Sequence, residues 1–351
     1  MDSRVPLTDH RLRIASTKSR ERLNRRAVIA GPAASMSAPS VVRAQSLIPL
    51  KLPISSASYS NAGAKAAATL GLFEKQGIAV DFVNTNSANI ATTTLISGST
   101  DVALSGAGEL VVALSKKVPI AIMTHAYWGF GGTLVLSTDA AAKTGVSPTD
   151  PVEKRLKALE GLRIGTASAS SAFTHAFRGF ARSAGVEPNF IYMGQPEMLA
   201  GLAAGVIGGF IASAPYWGQP VEAGKAVVWI SGPKNELPKR FIPGSSNSFQ
   251  VMRANAERKR DLMARILAAY TEFSALLKAD PDRVKAAVNP QYSGLAPATL
   301  DLLFESESPH WLVRELTTAD IKHEIEFMQA TAGTEFPAIT EEFLQSVIFR
   351  P

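Results

Sequence analysis

Four short segments of this chain concentrate small residues that carry hydrogen-bond donors. They read Ser55-Ser56-Ala57-Ser58-Tyr59-Ser60-Asn61, Asn86-Ser87-Ala88-Asn89, Ser105-Gly106-Ala107-Gly108 and Thr166-Ala167-Ser168-Ala169-Ser170-Ser171. Each follows a strand-like run and opens a helix-like one. A helix start offers free N–H groups and the positive end of its dipole, and nearby hydroxyls and amides add further donors. Such segments suit a small anionic or polar ligand. Ser and Asn are also ordinary helix caps, and any one segment alone is better read that way. Four at equivalent positions point to a binding site.

Aromatic residues supply candidates for the apolar wall of that site. They are Tyr59, Tyr127, Trp128, Phe130, Tyr216 and Trp217. Any one of them is more often core than ligand contact, but Tyr216 and Trp217 follow Pro215 at a strand end, where ligands commonly sit. His125 ends a strand and His175 falls one turn inside a helix, so both could face a cleft. His310 and His323 lie in a helical tail and read as structural. There is no H-E-x-x-H, no G-x-S-x-G and no G-x-x-x-x-G-K-[ST]. Metal, nucleophilic and phosphate-loop chemistry therefore lack their usual residues. The chain has no cysteine, which removes disulfides and thiolate sites. No cofactor, metal or catalytic residue is expected.

The elements that must position these residues alternate. Strand-like runs at 50–54, 78–83, 101–105, 120–124 and 133–137 are interleaved with helix-like runs. A polar stretch at 138–151 follows. The alternation then restarts with strands at 162–165, 190–193, 209–212 and 226–230. A loop rich in Pro and Gly covers 231–246, a strand follows at 248–252, and the remainder is helical. Repeated strand and helix units form largely parallel sheets, here an α/β fold. Two starts of the pattern indicate two lobes, with the tail after 254 packing most simply on the first.

The amino end reads as an export leader. Arg25 and Arg26 precede a mildly apolar run that reaches Val42-Arg43-Ala44, a pattern similar to a twin-arginine signal peptide cut after about Ala44. Residues 1–44 hold nine bases and three acids, which leaves 27 bases and 27 acids in the rest of the chain. The high isoelectric point thus belongs to the leader, and nucleic acid binding loses its support.

Several runs carry a family resemblance. Leu70-Gly71-Leu72-Phe73-Glu74-Lys75-Gln76-Gly77-Ile78, Leu95-Ile96-Ser97-Gly98-Ser99-Thr100-Asp101-Val102-Ala103, Leu159-Glu160-Gly161-Leu162-Arg163-Ile164-Gly165 and Ala200-Gly201-Leu202-Ala203-Ala204-Gly205-Val206 occur in family order. The chain resembles the periplasmic substrate-binding proteins of ABC importers for nitrate, sulfonates, taurine and thiamine-pyrimidine precursors, the NMT1/THI5-like group. It departs from them at Gly208-Gly209-Phe210, where the family has Asp-Ala, and in a longer stretch at 140–156.

The resemblance implies a type II periplasmic-binding-protein fold with two α/β lobes, a hinge and a ligand cleft. The expected division is a signal peptide at 1–44, lobe one at 45–138, lobe two at 139–238, and the rest of lobe one with its C-terminal helices at 239–351. It further implies a periplasmic monomer that hands a small sulfonate-, nitrate- or pyrimidine-type solute to an ABC permease and its ATPase. By matching positions, the ligand contacts are Ser58, Tyr59, Ser87, Asn89, Ser105, Gly106, Ser168, Ser170, Ser171 and Tyr216, with Trp128 and Trp217 nearby. The competing readings are a same-fold enzyme of pyrimidine or menaquinone biosynthesis and a ligand-sensing subunit.

Overall fold

A computed structural model describes residues 46–336 and 338–351. The expected leader lies outside the described residues. The described residues open with β1 (Ile48–Ile54), α1 (Tyr59–Thr69), α2 (Leu72–Lys75), β2 (Ile78–Asn84), α3 (Ala88–Ile96), β3 (Val102–Ser105), α4 (Ala107–Ser115) and β4 (Ile120–Trp128). It continues with β5 (Thr133–Ser137), α5 (Thr138–Thr144), α6 (Val152–Lys157), β6 (Arg163–Thr166), α7 (Ala172–Ser183), β7 (Asn189–Tyr192), α8 (Gln195–Ala203), β8 (Gly209–Ala212), α9 (Gly218–Glu222) and β9 (Ala226–Ser231). β10 (Ser245–Met252) leads to α10 (Arg253–Arg258), α11 (Arg260–Ala279), α12 (Pro281–Val288), α13 (Pro297–Glu307), α14 (Thr318–Ala332) and α15 (Glu341–Val347).

The strands form two five-stranded sheets, ordered β2-β1-β3-β10-β4 and β7-β6-β8-β5-β9. β1 tolerates Pro49 and Pro53 because of where its ladder runs. Ile48 N–H donates to Gly77, and the Ile54 carbonyl accepts from Thr85, so even-numbered residues serve β2. The prolines face the β3 side, where pairing is confined to Ile54 and Leu104, and the missing N–H groups cost little there.

One strand sits differently from the sequence expectation. Thr133–Ser137 reads as the end of lobe one, but it pairs antiparallel with β8 and β9 of the second sheet. The chain therefore crosses between sheets at 129–132, and the polar stretch at 138–151 begins with α5. The return crossing lies alongside. Gly129 N–H donates to the Gly244 carbonyl at 2.7 Å, and Gly131 N–H to Ser246 Oγ at 2.9 Å. Gly129 has φ of 79°, a turn that other residues enter only with strain.

The helical tail also divides. α11 and α12 pack on α2 and α1 of the first sheet, whereas α14 packs on α7 and α4. Ile321, Ile325 and Met328 recur at helical spacing along α14 and are buried in one apolar cluster with Leu110 and Val111 of α4 and Phe177 of α7. That stripe places α14 against both α4 of the first sheet and α7 of the second, with α15 also packed on it.

Two buried glutamates secure the crossings. Glu307 accepts a hydrogen bond from the Tyr127 hydroxyl, and Glu324 accepts one from Ser245 Oγ at 3.1 Å. Burial pushes Glu307 up to about 7 and Glu324 up to about 8, from the ordinary value of 4.5. Each thus holds its proton more tightly folded than unfolded. The resulting stabilisation is complete below pH about 4.5 and is lost as pH rises toward 8. Glu324→Gln, which keeps the acceptor and removes the titration, is expected to leave the melting temperature unchanged near pH 5 and to raise it by roughly 2–5 °C near pH 8. Circular dichroism melts at the two pH values test this, and an equal change at both would contradict it.

Candidate functional site

The strand-to-helix loops of the two sheets face each other across a cavity of about 60 Å³. This is the end of a parallel sheet at which ligands bind, because loops there lead into helix starts. The first sheet contributes Ser55, Ser56 and Ser60 after β1, Asn86 and Ser87 after β2, and Gly106 and Glu109 after β3. The second contributes Ala167 and Ser171 after β6, Phe173 of α7, Gln195 of α8 and Ser213 after β8. Ser246 and Asn247 of the returning strand β10 complete the lining.

Hydrogen bonds hold these groups in place. Asn247 Nδ2 donates to Ser60 Oγ at 3.0 Å and to Asn61 Oδ1 at 3.1 Å. Gln250 Nε2 donates to the carbonyls of Ser105 at 3.1 Å and Gly106 at 3.0 Å, which fixes the entry to α4. On the facing wall, Gln195 Oε1 accepts from the backbone N–H and hydroxyl of Ser213, both at 3.3 Å. Ser171 caps α7 by accepting from Phe173 N–H at 3.3 Å.

Glu109 is the one ionisable residue in the lining. It stands in the first turn of α4 and is only 4% exposed. Its Oε1 accepts from Ser170 at 3.2 Å and from Ser168 at 3.5 Å, both on the second sheet. Its Oε2 lies 2.8 Å from where a Cβ on Gly106 would stand, so the carboxylate folds back over the start of its own helix. Burial pushes its pKa up to about 7, opposed by hydrogen bonds from its own N–H, Ser170 and Ser168. Among the described residues no Lys or Arg forms an ion pair with it.

The two walls touch beside it. Ser170 Oγ also lies 3.0 Å from Asn89 Oδ1, so its single hydrogen is shared between that oxygen and Glu109 Oε1. Gly108 makes the approach possible, since a Cβ there would fall 2.3 Å from the Ser170 carbonyl oxygen. Tyr59 N–H donates to the Ala214 carbonyl at 2.7 Å, a further link from the first sheet to the second.

The residues expected from sequence fall into three groups. Ser87, Gly106 and Ser171 line the cavity. Asn89, Ser168 and Ser170 form the contact between the walls just described. Ser58 and Ser105 lie one layer behind: Ser58 bridges Ser56 and Ser60, and Ser105 binds Thr92 and the Ala88 carbonyl.

The aromatics expected from sequence stand apart from the cavity. Tyr59 is fully buried and stacks on Tyr292 at 4.5 Å, so it belongs to the first-sheet core. Trp128 packs edge-on to His125, with the Arg314 guanidinium 3.4 Å over its ring. Tyr216 and Trp217 are half-buried, and Trp217 touches the apolar clusters of both sheets. His125 is buried against Trp128, and burial lowers it to about 3. His175 faces Thr331 of α14 and is lowered to about 4.

Sequence reading missed Glu109, Gln195, Ser213, Ser246 and Asn247. An acid in the first turn of a helix looks like a routine dipole partner. The others come from elements remote in sequence from the four Ser- and Asn-rich segments. A larger depression of about 960 Å³ is lined by Ser137, Lys143, Arg163, Gly208 and Lys225. It lies at the amino ends of β6 and β8, opposite the strand-to-helix loops, and is set apart from the candidate site on that ground.

Two mixed sheets, a double crossing and facing loop ends define the periplasmic-binding-protein fold. The chain belongs to the NMT1-like family, which matches residues 57–289. It is similar in structure to the alkanesulfonate-binding protein SsuA of Xanthomonas axonopodis pv. citri bound to MOPS, with a TM-score of 0.67 and 17% identity over 86% of this chain and 98% of that one. The periplasmic aliphatic sulphonate-binding protein SsuA of Escherichia coli gives 0.60 and 14%, over 86% and 97%. The periplasmic nitrate-binding protein NrtA of Synechocystis PCC 6803 gives 0.63 and 14%, over 86% and 85%. At these identities the likeness establishes the fold. No curated protein sequence matches the chain.

The Gly108 contact generates a test of closure. Gly108→Ala is expected to hold the walls apart, increasing the radius of gyration in small-angle scattering. It should also weaken any cleft ligand by roughly tenfold or more, a loss of about 1.4 kcal/mol. Unchanged scattering and unchanged affinity would refute the contact as a determinant of closure.

Proposed function

We propose that this chain is an exported solute receptor that binds a small organic solute between two lobes and presents the closed form to an ABC permease. The single observation that carries this reading is the convergence of seven strand-end or helix-start segments, from both sheets, on one cavity. A ligand held from both sides stabilises the closed arrangement over the open one, and only such differential contact can shift the balance. The hydrogen-bonded pair of crossings at 129–132 and 244–246 gives the two sheets a common pivot. The expected leader, the near-neutral remainder of the chain and the similarity to sulfonate- and nitrate-binding importer components support a periplasmic location and a transporter partner. Among the described residues no helix is long and apolar enough to cross a membrane. The lobe division that fits the sheets runs through 46–128, 133–231 and 245–351.

Incubation with a metabolite extract, followed by a thermal melt and mass spectrometry of the bound fraction, tests the reading. A ligand at about a hundred times its Kd should add about 2.7 kcal/mol and raise the melting temperature by several degrees. It should be recovered chemically unchanged. Turnover of that ligand would replace the receptor with an enzyme.

A further inference from the structure

We propose that the cleft takes its solute by a nitrogen head group that donates N–H bonds, a protonated amine or amidine, and that Glu109 selects it. The inference rests on the receptor reading and adds the chemical class of the solute. The lining contains no Lys, Arg or His, and its only ionisable side chain is a carboxylate. An anion in this space would lie against Glu109 with no opposing cation.

Donor use points the same way. The donors of the α4 start and of Ser168 and Ser170 are already engaged by the protein's own carboxylate. Glu109 accepts from Ser168, Ser170 and its own backbone N–H, and it sits over Gly106 at the entry to α4. It therefore fills the place that an external anion would need. Asn247 spends its amide donors on Ser60 and Asn61.

A buried carboxylate without a countercharge is costly, and a cation that reaches it with N–H donors removes much of that cost. Closure around a cationic head is thus favoured over closure around nothing or around an anion. Size sets a second limit. A cavity of about 60 Å³ suits a compact head group rather than a bulky one. Ser168 and Ser170 bind Glu109, Asn89 binds Ser170, and Ser246 and Asn247 of β10 line the same cavity, all neutral. With its pKa near 7, Glu109 takes up a cation best when ionised, so binding near neutrality releases a proton.

Calorimetry of the full chain with methylammonium, acetamidinium, nitrate and methanesulfonate tests the proposal. At least one of the two cations should bind, roughly tenfold more tightly near pH 8 than near pH 6, with proton release at the lower pH. Neither anion should bind. Glu109→Gln should lose at least tenfold in cation affinity, by about the factor that ionisation contributes, while Ser87→Ala, which leaves the carboxylate in place, should retain the pH dependence. Binding of nitrate or methanesulfonate without either cation would overturn the ligand class and leave the receptor reading standing. Equal cation binding by wild type and Glu109→Gln would overturn the role of Glu109. Failure of all four probes to bind would overturn both readings of this cleft.

Discussion

A carboxylate buried where two sheets meet is the constraint on which the cleft depends. Glu109 would be a solvated first-turn acid if the first sheet stood alone. The 167–171 loop covers it, and two hydroxyls from that loop replace the water it loses. Desolvation of a carboxylate is the larger effect, as the upward pKa shift records, and the hydroxyls offset only part of it. The chemistry of the site is therefore a property of the closed arrangement and belongs to neither sheet separately. The small residues follow from the same constraint. Gly106 leaves room for the carboxylate and Gly108 for the opposing backbone.

The rest of the fold holds the sheets in register for that meeting. The crossings are joined by main-chain and Ser246 hydrogen bonds, and Trp128 and Phe130 at their edge sit in the apolar cluster shared by α4, α7 and α14. Separation of the sheets at the cleft must keep this cluster packed, because exposing its Phe, Trp and Leu side chains would cost roughly 1.5–3 kcal/mol for each large residue. The same cluster runs along α4, whose first turn carries Glu109, so the helix that bears the charge is anchored in the part of the molecule that stays together.

Much of the fold was legible in the chain. The ten strand-like runs each overlap one of the ten strands described, and the two starts of the pattern mark the two sheets. What failed was local. A four-residue crossing at 129–132 leaves no shift in composition, whereas α5 and its neighbours are polar surface segments that look like a linker. β5 alone carries no sign of its partner, since an antiparallel strand buried on both faces reads the same in either sheet. The site was legible in outline for a related reason. Ser- and Asn-rich helix starts announce themselves locally, and Ser87, Gly106 and Ser171 do line the cavity. Whether a ring points into a cleft or into the core is decided by packing, and Tyr59 is held inward by Tyr292 and Trp311, more than two hundred residues away in sequence.

The identity of the solute turns on a distinction that composition does not make. A hydroxyl-rich loop at a helix start counts as a donor site only if its donors are free. In this chain the loop composition points to an anion, while the occupancy of the donors points away from one. Glu109 has the short-range contacts that a bound carboxylate would have, and it arrives by folding rather than by binding. On the proposed reading, a receptor keeps the architecture of an anion binder and reverses its preference by placing one acid at the third position of one helix, with neighbouring residues small enough to let the facing loop lie over it.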